Sequence, residues 1–188
     1  MSHATHFNKV GNWWWTEFGV SEYLNTFNGL GVYGPCCTAH SPRIAVGEAW
    51  AYHMGHYLSD KKWGLQSTTL PEQGTDIKEH ENVLFFSNGG GYSSHTNFLE
   101  EYSPTRPVSL DPNRWIPKGL MNDLMDGGVE SLRSNIPFDH VSGYTNAQFY
   151  NALTTDVGGM FTYRDKLLQQ NNYNQQNEVT QIFSEYGY

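Results

Sequence analysis

SPRIAVGEAWAYHMGHYLSDKKWG, residues 41–64, carries the strongest helix signal in the chain. Ser41 before Pro42 is a start signal: a serine suits the N-cap, and a proline suits the first helical position, where no amide is needed. From there a helix is predicted to about Asp60. Its apolar residues Ile44, Ala45, Ala49, Ala51, Tyr52 and Leu58 run almost without interruption. A helix with apolar residues on most sides is surrounded by other elements. One residue breaks that rule. Glu48 stands in GEAWA, and a carboxylate on an apolar helix is costly unless it is paired, protonated or bound to a metal. At about 100° per residue, Tyr52 shares its face, His56 lies about 80° away, and His53 points elsewhere.

On the N-terminal side, residues 2–10 read as a helix ended by Gly11, and residues 12–28 as a second helix stopped by Asn28-Gly29. Trp14, Phe18, Ser21 and Tyr23-Leu24 are expected to form its apolar face. GLGVYGPCCTAHS, residues 29–41, is a loop by its glycine and proline content. Cys36 and Cys37 are the only two cysteines. Neighbouring cysteines rarely bond, because the ring strains the peptide between them. They are expected as two small buried side chains, with no disulfide framework.

On the C-terminal side, residues 64–110 are irregular, with Gly89 to Gly91 in a stretch where short strands or an ordered loop both fit. Asp111-Pro112 opens a helical stretch in which Pro117 restarts the helix and Trp115, Leu120, Leu124 and Met125 form the core face. Thr145 is an N-cap with Gln148 at the capping-box position. MFTYRDKLLQQN and NEVTQIFSEYGY are further helices, and Val179, Ile182 and Phe183 have the spacing to dock on the core. The expected architecture is a single domain, 1–188, mainly α, with a long irregular, β-tolerant middle segment at about 64–110.

Bulk properties narrow the function. A net charge of -8 with no basic stripe excludes a nucleic-acid partner. No stretch approaches the ~18 apolar residues that span a bilayer, and SHATHFNKV has no signal-peptide character. The triple-glycine segment lacks the GK[ST] ending of a phosphate loop, which argues against nucleotide binding.

The first seven residues, MSHATHF, place His3 and His6 three apart on a predicted helix. SHATHFNKVGNWWW, followed after the loop by GEAWAYHMGHYLSD, resembles the zinc metallopeptidases of the gluzincin type. It is more closely similar to a group of uncharacterised secreted bacterial proteins in which HE-x-x-HA-x-HF forms the zinc helix and a later GE-x-WA helix supplies a glutamate ligand. IPKGLMNDLMD, VSGYTNAQFYNAL, YRDKLLQQNN and IFSEYGY also resemble the helical lobe of that group; residues 64–110 match nothing in it.

The resemblance implies a zincin-like helical lobe, Zn2+ as cofactor, a peptide or protein substrate, and export to the extracellular space or cell envelope. By position, His3 matches the second zinc histidine and Glu48 the third ligand. His6 and His56 are further metal candidates, His6 being read first as a packing histidine. Asp123, with Asp126, is a candidate for orienting a zinc histidine. Tyr52 and His140 are candidates for stabilising the oxyanion that such a reaction forms. The first zinc histidine and the base glutamate would fall before Met1. The expectation is an N-terminally shortened chain that binds zinc weakly and hydrolyses peptides poorly. The alternatives are an inactive pseudo-enzyme or an extracellular binding module with an aromatic-rich surface, in which Trp13, Trp15 and Trp63 face solvent.

Overall fold

A computed structural model describes residues 2–36, 38–39, 41–63, 115–126 and 140–188. Among these, six helices form: α1 Ser2–Phe27, α2 Ser41–Trp63, α3 Leu120–Asp126, α4 Asn146–Ala152, α5 Met160–Gln170 and α6 Gln176–Glu185. The described part of the chain is mainly helical, as its periodicity predicts. The irregular segment at 64–110, the helix start at Asp111-Pro112 and the side chain of Trp63 lie outside the described residues.

α2 is the hub. It packs against α1, α3 and α5, while α5 also meets α4 and α6, and α6 meets α3. Ile44, Ala45, Val46, Ala49 and Trp50 of α2 are all buried in one cluster with Trp115, Leu120, Leu124, Phe149, Leu167, Ile182 and Phe183. Burial is concentrated in the first half of α2; Leu58, expected in its core, is exposed.

α1 is not straight. Gly11 sits at φ 77°, ψ -176°, and divides it into arms 2–10 and 12–27. The arms fold against each other: the His3 ring lies 5.0 Å from that of Trp15 and 6.0 Å from that of Phe18. On a continuous helix, fifteen residues would separate His3 and Phe18 by about 22 Å. The break at Gly11 is where the sequence puts it, but the reversal is not legible there. Nothing lies within 4 Å of a Cβ added to Gly11, so glycine is required by conformation alone. Gly11→Ala is expected to lower stability by about 1–3 kcal/mol. Gly19→Ala, on the exposed helical face of the second arm, should instead be neutral or stabilising, by up to about 1 kcal/mol. Urea midpoints of the two variants would check this; equal midpoints would remove the strain argument.

The second arm ends as predicted. Gly29 takes φ 71°, its amide bonds the Thr26 carbonyl, and the Leu30 amide reaches back to the Asn25 carbonyl, a Schellman-type stop. The buried face of this arm is Trp14, Phe18, Ser21 and Asn25. Tyr23, expected with them, is 66% exposed, because it falls off the i, i+4, i+7 series that points inward.

The cysteine reading is corrected. Cys36 is disulfide-bonded, and Cys37 is the only other cysteine in the sequence. The rule against neighbouring cysteines describes a cost in strain, not a prohibition, and a bond at Cys36 shows that the cost is met here.

At the other end, Thr145 and Gln148 form the predicted capping box, with the Thr145 hydroxyl accepting from the Gln148 amide and the Gln148 side chain accepting from the Thr145 amide. α3 begins after Pro117, in line with a restart there.

Candidate functional site

Three polar side chains meet where the two arms of α1 cross α2, with a fourth within electrostatic reach of them. His3 comes from the first arm, Glu22 from the second, Tyr33 from the 29–36 loop and Glu48 from α2. The His3 Nε2 lies 3.3 Å from Glu48 Oε1. The Tyr33 hydroxyl donates to Glu48 Oε2 at 3.2 Å. Glu48 is only 5% exposed, so its carboxylate exchanges water for these two partners. Arg43, five residues before Glu48 on α2, pairs with Glu17.

Each member is held by packing that the local sequence supports. Trp50, two residues beyond Glu48, donates its indole N–H to the Ser2 carbonyl at 3.1 Å, tying the first arm to α2 beside His3. Gly47 lets the second arm come close: a Cβ there would fall 2.6 Å from the Phe18 ring, and Phe18 in turn packs against His3. Three positions of GEAWA thus position the site. Asn25, buried in the second arm, donates to the Tyr33 carbonyl at 3.0 Å. Gly34, at φ 64°, lies so close that a Cβ would fall 2.7 Å from the Asn25 side chain. Asn25 thereby fixes the loop that delivers Tyr33.

His3 Nδ1 is buried and has no hydrogen-bond partner. The ring is held by aromatic edges rather than by an acceptor. The Glu22 carboxyl is pushed above the usual range, first by burial and then by the Glu48 carboxylate, with His3 partly offsetting both. That coupling puts Glu22 within electrostatic reach of the pair. Neither Glu22 nor Tyr33 was singled out from the sequence. Glu22 lies one turn beyond Phe18 and two beyond Trp15, so a carboxylate on that inward stripe was the signal to read. Tyr33 carries no such signal, because its role depends on a loop contact.

The other sequence candidates lie elsewhere. His6 is buried against Trp14, ring centroids 4.3 Å apart; burial, with the charge of His3, pushes its pKa down to about 3. His53 is buried against α4, its Nε2 2.6 Å from Asn146 Oδ1 and its ring edge-on to Phe149. The side chains of His56 and Asp126 are outside the described residues. Tyr52 is half-buried with the Lys118 ammonium 4.3 Å from its ring centre. His140 is exposed. Asp123 is buried and accepts from the Tyr186 hydroxyl at 2.5 Å.

Among the described residues, no group of three or more His, Cys, Asp or Glu side chains is arranged to hold a metal ion, and no helix is long and apolar enough to cross a membrane. Comparison with family models, with curated proteins and with solved structures returns no match.

Proposed function

We propose that His3 and Glu48 are two protein ligands of a zinc ion in a metallopeptidase-like site of the gluzincin type. The observation that carries the reading is the 3.3 Å between His3 Nε2 and Glu48 Oε1. Two donors bound at ~2.1 Å with tetrahedral angles stand roughly 3.4 Å apart. The pair therefore has the spacing that one ion requires, and it joins two helices far apart in sequence. Bound zinc would supply Lewis acidity toward a peptide carbonyl and the attacking water. Tyr33 would hold the second oxygen of Glu48, leaving the first for the metal.

His3 sets the strength of such a site. A metal needs the Nε2 lone pair, which moves the ring proton to Nδ1. That nitrogen is buried without an acceptor, and an unsatisfied buried donor costs about 1–3 kcal/mol. Zinc affinity should therefore fall roughly 10–100-fold below that of a site whose histidine is hydrogen-bonded on its far side. Two ligands are one short of the three that catalytic zinc sites use, which makes peptide hydrolysis by residues 1–188 slow or absent.

Equilibrium dialysis against zinc, with metal quantified in the folded protein, tests the reading. Wild type is expected to take up one zinc in the micromolar range. His3→Ala and Glu48→Gln should each lose at least ten-fold, and circular dichroism should show both still folded. Fusing His-Glu behind a short helical leader directly ahead of Met1, which completes H-E-M-S-H, should tighten binding by ten-fold or more. A wild type that takes up no zinc at millimolar concentration, or variants that bind as wild type does, would leave an ordinary ion pair buttressed by Tyr33.

A further inference from the structure

The second arm of α1 has another face. Trp15 and Phe18 turn toward His3, whereas Trp13, Glu17 and Val20 turn away and, with Ala39, Pro42 and Arg43, line an open cavity of about 420 Å³, within the size range of small-ligand sites. Trp13 stands at this cavity 75% exposed, presenting its indole to solvent. Arg43 is held in place twice. Its guanidinium pairs with the Glu17 carboxylate and lies 5.3 Å from the centre of the buried Trp14 ring. A guanidinium stacked and paired in this way enters the cavity with little freedom left to lose.

We propose that this cavity is a binding site for a neutral saccharide. The charges select the ligand class. Glu17 and Arg43 neutralise each other as a pair, so neither an anion nor a cation gains net attraction, and a purely apolar molecule would strip water from both without replacing its hydrogen bonds. A neutral ligand with donors and acceptors on adjacent atoms meets both needs: one hydroxyl donates to the carboxylate and its neighbour accepts from the guanidinium. A pyranose carries such hydroxyl pairs on its edge and an apolar C–H face for the indole and for Val20 and Pro42. A peptide fits less well, because its polar groups repeat along a line, whereas here they converge at one fork beside one ring. The site uses none of the residues of the proposed zinc centre, and its test is independent of metal.

An array of immobilised neutral oligosaccharides, comprising β-1,4-glucan, chito-, manno-, xylo- and galacto-oligomers, would be screened with wild-type protein, and the hits titrated by calorimetry. At least one class is expected to bind. Trp13→Ala should weaken that binding at least ten-fold, Trp13→Tyr should retain it within a few-fold, and Glu17→Gln with Arg43→Gln should abolish it. Trp13 is on the surface, so its variants should melt as wild type does, which separates lost binding from lost fold. The proposal is overturned if no oligosaccharide binds, if Trp13→Ala binds as tightly as wild type, or if a neutral Gly-Ala peptide displaces every sugar that does bind.

Discussion

Lowering the pH from 7 to 4 is expected to remove a large part of the stability of this fold. Two histidines are buried as neutral rings. Burial pushes His53 down to about 4, with the bond to Asn146 opposing it only in part, and burial with the charge of His3 pushes His6 down to about 3. In the unfolded chain both titrate near their ordinary value of about 6.5. Below that pH the unfolded state therefore binds more protons than the folded state, and stability falls as pH falls. The contribution is complete above pH 6.5 and is lost progressively toward pH 4 for His53 and pH 3 for His6. At about 1.4 kcal/mol per pH unit, each ring forfeits about 3 kcal/mol by pH 4, against a typical domain stability of roughly 5–15 kcal/mol. Asp156 does not blur this window, because bonds from Lys166 and Thr154 hold it down to about 2, so its loss comes at lower pH. Urea midpoints at pH 7, 6, 5 and 4 would measure the effect. His53→Gln, which keeps a hydrogen-bonding partner for Asn146 but cannot titrate, should remove about half of the loss and leave the part due to His6. A wild-type midpoint that is level between pH 7 and 4 would refute the account.

Trp14→Ala is expected to be the most damaging single change in α1. The ring is 2% exposed and packs against His6, Trp15 and Phe18. Its indole N–H donates to the Val157 carbonyl at 2.6 Å. Truncating a buried tryptophan costs about 3–5 kcal/mol, and stranding the Val157 acceptor adds about 1 kcal/mol. Trp13→Ala, one position earlier, should change stability by no more than about 0.5 kcal/mol. Denaturant melts of the two variants make a sharp comparison. A Trp14→Ala protein within 1.5 kcal/mol of wild type (well below the range for a buried tryptophan) would contradict the packing described.

The tryptophan run shows what was readable in advance. Periodicity separates Trp14, on the series with Phe18 and Ser21, from its neighbours, so one of three identical residues could be assigned inward. The same local logic placed the stops at Gly11 and Gly29 and the cap at Thr145. It could not say that the chain doubles back at Gly11, since periodicity describes one helix and not the angle between two. The site divides similarly. Glu48 stood out as a carboxylate among apolar residues, and its link to His3 came from a resemblance between motifs rather than from spacing. Tyr33 and Glu22 join through tertiary convergence, which leaves no mark on either segment alone. The bond at Cys36 is not legible in the sequence, because the rule on adjacent cysteines weighs a strain cost and not what offsets it.

The side-chain bonds that close this core also constrain how it can assemble. Trp14 reaches Val157 across 143 residues, His53 reaches Asn146 across 93, and Trp115 reaches Gly34 across 81. Helical proteins fold fast when their contacts are local; here each helix is secured by a partner far along the chain, and long loops must close before those contacts form. Individual helices gain little by forming early. The rate is set by the search that brings distant segments around α2, so this helical chain should assemble at the pace of a topologically complex fold.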